Sequence, residues 1–567
     1  MHTESADRYH GMKYRGRRES FKEYANRVSF GLADNGDHYH ELRDILLEQR
    51  FCPGGRIQGS IGATRRTTSF NCYVSGTIND SLVDGDGSIM QRLTESAQTA
   101  KLGGGIGYDF STLRPRGYRV KQIESDATGP VSFMSLYNVT GLTMQSSGHR
   151  RGAQMGILRV DHPDIEEFIF AKQVPSALEG FNISVAVTDA FMEAVANDAL
   201  FPLSFGGQTD REVRAVDLWQ KIMRSTWEWA EPGVFFVDTV NKTNNLWYCE
   251  QIAACNPCGE QPLPPYGACL LGSFNLVKYL SPNGLNPATT NPAYDFSFDQ
   301  LRVDILAVVR AMDNVVDRSL YPWPAQAQEA YNKRRMGLGV MGLANAGEAL
   351  GNKYGSPGFL EFEAKVLETI RDECYRASIE LAKEKGPFPL FASPYTEGKF
   401  IQTLPPDIQD GIVKHGIRNS HLTSIAPTGT ISLCADNVSS GIEPVFAYKT
   451  ERPIMTPEGR IVDTFEDYGA QFLSVRGKVC DEVTADEHVA VLLTAQRYVD
   501  SAVSKTCNVN GSMPWADFVG IYSKVHAGGG KGCTTFNRDG KRGALLTSAP
   551  SDELTCAIDE IGRRSCE

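Results

Sequence analysis

Hydrophobic and polar positions along the chain follow two different periods. Ile183, Val185 and Val187 repeat every second residue, as a strand with one buried face requires, and the repeat then changes to helical spacing at Phe191, Met192 and Val195. Thr188 or Asp189 stands at the junction, where a side-chain oxygen can accept from the first free N–H groups of a helix. The pattern predicts a strand running directly into a helix. Helical spacing also predicts helices over about 301–317, 360–385 and 486–505, the second stopped by Gly386-Pro387. Another helical run starts near Ile89 and ends in Lys101-Leu102-Gly103-Gly104-Gly105-Ile106-Gly107, where the missing side chains either stop a helix or admit another backbone. Residues 1 to about 50 are charged and helix-prone, and Cys52-Pro53-Gly54-Gly55 is the first turn-rich segment. Strands alternating with helices place the chain in the α/β class with parallel strands.

Composition narrows this picture. At about 150 residues per domain, 567 residues allow three to four domains. With 41% hydrophobic and 22% charged residues the chain is ordinary globular material, which excludes a collagen, a repeat array or a disordered chain. The 57 basic and 68 acidic residues give a net charge of −11, which disfavours nucleic acid as a partner but leaves small anions such as nucleotides open. No apolar run approaches the roughly 18 to 20 residues of a membrane span, and MHTESADRYHGMKYRGRRES lacks a secretory apolar stretch, so a cytoplasmic location is expected. Thirteen cysteines, an odd number without an export signal, argue against a structural disulfide framework and for thiols that do chemistry. The tail from Thr547, TSAPSDELTCAIDEIGRRSCE, is polar and poor in apolar anchors, so it is expected to be mobile; it carries Cys556 and Cys566.

Single motifs leave alternatives open. Gly337-Leu338-Gly339-Val340-Met341-Gly342 matches a dinucleotide fingerprint, but Asn332-Lys333-Arg334-Arg335-Met336 supplies no preceding strand, and close helix packing is the expected role. Cys255-Asn256-Pro257-Cys258 has redox spacing, yet the prolines at 262, 264 and 265 forbid the helix that lowers a thiol pKa in such sites. A zinc set of Cys249, Cys255, Cys258 and Cys269 lacks a second close-spaced pair. What remains is a loop bearing an amide, a thiol and a carboxylate at Asn256, Cys258 and Glu260, which extended backbone would project to one side. A carboxylate beside a reacting thiol can act as a general base. Ala426-Pro427-Thr428-Gly429-Thr430-Ile431-Ser432 is either a phosphate cradle or an ordinary turn. Cys374 falls in the helical stripe Val366, Ile370, Cys374, Ala377, Leu381 and reads as core.

Taken together, Ser69-Phe70-Asn71-Cys72, Asn256-Pro257-Cys258-Gly259-Glu260, Gly267-Ala268-Cys269 through Asn275, Arg335 through Leu343 and Ala426 through Thr430 resemble the catalytic chain of ribonucleotide reductases, in order and separation, over roughly residues 50–545. The resemblance implies a ten-stranded α/β barrel with a thiol-bearing finger loop through its centre. By the same resemblance Cys258 is the thiyl site that takes the ribose 3′ hydrogen, Glu260 the base on the 3′ hydroxyl, and Asn256 a hydrogen-bond partner of the sugar. Cys72 and Cys269 are then the dithiol that becomes a redox-active disulfide, Cys556 and Cys566 the tail thiols that re-reduce it, and Thr428, Gly429, Thr430 and Ser432 the phosphate site.

Metal-dependent relatives receive their radical through two adjacent tyrosines, and Gly530 through Gly540 contains no Tyr-Tyr pair. Gly267-Ala268-Cys269-Leu270-Leu271-Gly272 and Lys531-Gly532-Cys533-Thr534-Thr535 instead look like the class II enzymes that use adenosylcobalamin, and no resident metal ligand set is expected. The resemblance further implies a dNTP or ATP allosteric effector near Asp80 and Lys121, with the loop Gln145 through Gln154, including Arg150 and Arg151, relaying its identity. It implies a ribonucleotide substrate, a thioredoxin- or glutaredoxin-like reductant and a homodimer. The expected layout is an N-terminal helical region over 1–50, the barrel with its specificity site over 51–546 and a redox tail over 547–567, without a separate ATP-binding cone. A class I-type large subunit, and a non-catalytic nucleotide- or zinc-binding protein, stand as the alternatives.

Overall fold

The computed structural model describes residues 2–120, 124–144, 153–174, 176–285, 292–456 and 459–541, together with the backbone of 556–558 and 564–566. The charged N-terminus forms three helices, Glu4–Tyr14, Phe21–Leu32 and Gly36–Leu47, and each start is capped by a side chain, from Thr3, Ser20 and Asn35. The strand-to-helix unit forms as its periods predict: Phe181–Val187 is a strand, Asp189–Ala196 a helix, and the Thr188 hydroxyl accepts from the Phe191 N–H. Phe298–Arg318 and Pro357–Lys385 are helices, the latter ending at Gly386, and Cys374 is fully buried.

Two strand systems position the site. The first is an eight-stranded sheet built from β1 (Cys72–Val74), β2 (Gly105–Asp109), β3 (Gln154–Arg159), β4 (Phe181–Val187), β5 (Gly233–Phe236), β6 (Ala268–Cys269), β9 (Thr506–Val509) and β10 (Gly532–Asn537), in the order β6-β1-β2-β3-β4-β5-β10-β9. The second joins β7 (Leu271–Asn275) to β8 (Gly337–Met341) and to the short strand Phe51–Pro53. Strands β1 to β5 are mutually parallel, β10 parallels β9, and β7 parallels β8, whereas β6 meets β1, and β10 meets β5, antiparallel. Single parallel bridges, Leu338 with Thr423 and Ile425 with Val503, link the two systems. The expected parallel sheet is therefore two parallel sets joined antiparallel. Strands β2 to β5, β7 and β8 are almost wholly buried, as a parallel sheet covered on both faces requires.

Two expectations need correction. The helix expected over 486–505 is Ala485–Gln496 only. Beyond it, buried Asp500 accepts the backbone N–H groups of Leu422 and Thr423, which draws the chain alongside Thr423 and Ile425 as sheet. The glycine motif at 337–342 is not a helix-packing site. It is the buried strand β8, and a Cβ on Gly339 would stand 2.2 Å from the Ser424 carbonyl oxygen. Only a glycine lets β8 lie that close to its neighbour.

Candidate functional site

Ala254–Cys255 and Pro262–Leu263 pair antiparallel and close a hairpin with Asn256 to Gln261 at its tip. The tip is a tight turn, so the side chains are not set by extended i, i+2 spacing: the Gly259 N–H donates to the Asn256 carbonyl at 3.0 Å, and Gly259 has φ +82°. The Gln261 N–H donates to Asn256 Oδ1 at 2.9 Å. The turn thus sets Asn256 and Glu260 at its two ends, buried at 0% and 2% exposure, with Cys258 exposed at the apex. Surrounding elements brace it. The Ala502 N–H and the Ser424 hydroxyl donate to the Glu260 carbonyl at 3.0 and 2.9 Å, and Asn182 Nδ2 donates to the Pro257 carbonyl at 2.9 Å.

The glycine run after Lys101 explains how the hairpin fits. The helix Ile89–Lys101 does stop there, but Gly105 and Gly107 lie in β2. A Cβ on Gly107 would fall 1.9 Å from the Cys255 carbonyl oxygen, and one on Gly105 would fall 3.1 Å from Cys72 Sγ. Gly107 admits the hairpin's backbone against the sheet, and Gly105 leaves room for Cys72 Sγ and the Pro257 ring.

Cys72 in β1 is the direct register partner of Cys269 in β6. Residues so opposed have Cα atoms about 4.5 to 5.5 Å apart, inside the range a disulfide spans. Asn256 Nδ2 lies 4.0 Å from Cys269 Sγ. Burial, reinforced by the nearby charges of Glu260, Cys72 and Cys258, pushes the Cys269 thiol well up, so it keeps its proton. Burial also raises the Glu260 carboxyl to about 7, against the opposing hydrogen bond from the Asn256 side chain. Glu260 Oε2 is buried without a hydrogen-bond partner. A buried acceptor left open in this way is fitted to receive a hydroxyl from a bound molecule.

The helix Gly429–Cys434 begins at Thr428, whose φ of +55° is unusual for a non-glycine residue. The Thr428 hydroxyl accepts from the Gly441 N–H at 2.7 Å and does not cap the helix. A Cβ on Gly429 would meet nothing within 4 Å, so the helix start faces open space. Ser432 is turned inward, its hydroxyl 2.9 Å from that of Ser440.

The effector residues come together less completely. Asp80 is held by Arg114, with Nε at 2.7 Å, so it is one half of an ion pair and not a lone surface charge. Lys121, Arg150 and Arg151 lie outside the described residues. Gln154, expected at the end of the same loop, is buried in β3 and accepts from the Tyr108 hydroxyl at 3.1 Å. Cys556 and Cys566 are register partners in a backbone hairpin of Cys556–Ile558 with Arg564–Cys566. Among the described residues no three His, Cys, Asp or Glu side chains gather as a metal site, so Cys249, Cys255, Cys258 and Cys269 do not form the zinc set considered from sequence.

Three residues to which sequence reasoning gave no supporting role brace the site. Gln261 is fully buried with both amide atoms unpartnered, and a Cβ on Gly337 would stand 2.3 Å from its Nε2. Lys531, buried, donates to the Asp500 and Ser501 carbonyls, immediately before the Ala502 that holds the Glu260 backbone. Burial lowers its pKa to about 8, opposed by the charge of Asp500. Ser424 is the third, and nothing in its local sequence marks it.

A family model described as ribonucleotide reductase, barrel domain, matches residues 70–479. The chain belongs to the ribonucleotide reductase family. The matched span contains Cys72, the finger hairpin, Cys269 and the helix start at Thr428. Among individual relatives, the vitamin B12-dependent ribonucleoside-diphosphate reductase of Mycobacterium tuberculosis (strain CDC 1551 / Oshkosh) is 35% identical over 531 residues, covering 88% of this chain and 72% of that protein. Its namesake in Thermoplasma acidophilum is 33% identical over 94% of this chain and 69% of the relative. The vitamin B12-dependent ribonucleotide reductase of Streptomyces clavuligerus is 26% identical over 96% and 64%. As in any ribonucleotide reductase, the substrate is a ribonucleotide and the electrons come from a reductant.

Proposed function

We propose that the chain reduces ribonucleotides to 2′-deoxyribonucleotides by thiyl-radical chemistry with adenosylcobalamin as radical source. The observation that carries this reading is the direct opposition of Cys72 and Cys269 beside a turn presenting Cys258, Asn256 and Glu260. Two thiols that can close to a disulfide supply the two electrons and two protons that convert a C2′ hydroxyl to hydrogen as water leaves. Cys258 takes the 3′ hydrogen and later returns it. Glu260 accepts the 3′ hydroxyl proton on its open Oε2, and Asn256 orients the sugar while fixing the turn through its Oδ1. Thr428, Gly429, Thr430 and Ser432 form the phosphate end, where the uncapped N–H groups of Gly429 and Thr430 suit an anion and Ser432 braces the turn through its N–H to the Thr428 carbonyl. The names of the relatives above 30% identity favour a diphosphate substrate.

Adenosylcobalamin, when bound, supplies the initiating radical. The chain would offer it the exposed thiol of Cys258, and beside it Gly259, where an added Cβ would meet nothing within 4 Å, so the finger tip is open on that side. The names of the relatives support the same cofactor.

The strand pairings support a closed ten-stranded barrel. From the successive strands β6 and β7, separated by Leu270, the order runs through β1, β2, β3, β4, β5, β10, β9 and the Val503 that precedes it, the segment 423–425 and β8, and then returns to β7. On this reading 51–546 is one unit, preceded by the helices of 1–50 and followed by a redox tail over 547–567 in which the paired positions of Cys556 and Cys566 suit a second dithiol. A dNTP effector near Asp80, Lys121, Arg150 and Arg151, a homodimer, a thioredoxin- or glutaredoxin-like reductant and a cytoplasmic location complete the proposal. No described helix is long and apolar enough to cross a membrane. The test is reconstitution: purified chain with adenosylcobalamin, a dithiol and a ribonucleoside diphosphate should form deoxyribonucleotide without a second subunit. A requirement for a metal-loaded partner protein would refute it.

A further inference from the structure

The N-terminal helix Glu4–Tyr14 runs out into Arg15-Gly16-Arg17-Arg18, and Arg65-Arg66 follows the turn after Ile61. Folding brings these segments around a cleft of about 520 Å³, lined by Arg8, Arg15, Arg17, Arg18 and Arg65, with Glu19 as the acidic residue of the lining. The cleft concentrates positive charge in a chain whose net charge is −11.

Glu19 does not neutralise it, because its oxygens are held by Arg27 Nε at 2.7 Å and by the Gly16 N–H at 2.7 Å. Arg17, Arg18 and Arg65 have no carboxylate within ion-pair distance among the described residues, and Arg8 reaches Glu4 and Asp463 only at 3.6 Å. Arg15 is buried at 8% exposure. Its guanidinium meets Asp7 at 3.1 Å, but its buried Nε has no partner. Gly11 makes room for it, since a Cβ there would lie 2.7 Å from Arg15 Nη2. Arg65 Nη2 donates to the Arg15 carbonyl at 3.2 Å and ties the two walls together. Arg18 lies in a turn at φ +67°.

We infer that this cleft binds a polyphosphate anion. Guanidinium forks pair phosphate oxygens two at a time, and a buried, half-paired arginine gains from a further acceptor. Several cations around a volume in the range of small-molecule sites match a chain of phosphates better than one phosphate. A nucleoside triphosphate and free inorganic polyphosphate share this chemistry. The cleft shares no lining residue with Thr428 to Ser432 and does not rest on the catalytic reading.

Calorimetric titration of the full chain with inorganic tripolyphosphate at low ionic strength tests it. The cleft should account for one equivalent per chain that weakens as salt rises and is weakened in the cleft variants below. The triple variant Arg17→Ala, Arg18→Ala, Arg65→Ala alters only exposed side chains and should keep the wild-type circular dichroism while losing at least about ten-fold in affinity. Arg15→Lys keeps the charge but not the fork and should also weaken binding. Arg214→Ala with Arg302→Ala, remote exposed arginines, should leave it unchanged. If the triple variant binds tripolyphosphate as wild type does, the inference is wrong. ATP that displaces tripolyphosphate more tightly than its phosphates alone predict, with the excess lost in the triple variant, identifies the nucleotide as the ligand. Displacement without that excess identifies free polyphosphate.

Discussion

Replacing Glu260 with Gln removes one titrating group and little volume, so its consequences follow from the burial of that carboxyl. Burial raises it from 4.5 to about 7, which corresponds to about 3 kcal/mol between its two protonation states. In the unfolded chain the group titrates near its ordinary value. Its contribution to stability is therefore complete below about pH 4.5 and is lost as pH rises through about 7. A glutamine does not titrate. The stability of wild type relative to Glu260→Gln should fall by about 3 kcal/mol between pH 4.5 and pH 8, read as the change in urea midpoint under a reducing dithiol. If the difference between the two proteins is the same at both pH values, the burial argument fails. Turnover has the opposite dependence, because the base must be ionised. The wild-type rate should rise with pH through about 7, and Glu260→Gln should lose on the order of 10² to 10⁴ in kcat.

Other outcomes follow from the same geometry. Asn256→Ala removes the hydrogen bond that lowers the Glu260 pKa, so the ascending limb of the rate profile should move to higher pH while kcat falls; an unmoved limb refutes the contact. Mild oxidation by diamide should cross-link Cys72 to Cys269, identified by peptide mass spectrometry, and Cys258→Ser should abolish turnover yet leave that cross-link intact. Gly107→Ala forces a Cβ to within 1.9 Å of the Cys255 oxygen and should destabilise by about 2 to 3 kcal/mol in urea unfolding, with loss of activity from a displaced finger. A wild-type midpoint for that variant would show that β2 and the hairpin are not in such contact.

The parts legible in the sequence were those set by neighbours along the chain. The change of period at Thr188 located a strand, a cap and a helix within a residue or two, because alternation and capping depend only on nearby side chains. The chemistry of Asn256, Cys258 and Glu260 was visible as residue types on a Pro- and Gly-rich loop, and the order of motifs carried the family. The shape of that loop was not. Asn256 and Gly259 make a turn through backbone hydrogen bonds that a string of residue types leaves undetermined. The helix over 486–505 was overextended for a related reason: Asp500 finds its partners at Leu422 and Thr423, and a distant pairing overrides local helical spacing.

Local pattern along the chain was enough for the strand and helix around Thr188, for the helices near 301–317 and 360–385, and for the side chains that bring thiol, amide and carboxylate chemistry. Only the tertiary structure decided that Cys72 opposes Cys269, that Gly107 and Gly339 exist to admit other backbones, and that Gln261, Ser424 and Lys531 support the finger. It alone raised the Glu260 carboxyl into the range where a base works near neutral pH, since that shift comes from burial. Periodicity records how each segment faces the core, whereas register and burial depend on which remote segments fill the space beside it, and those are set by packing the whole chain at once.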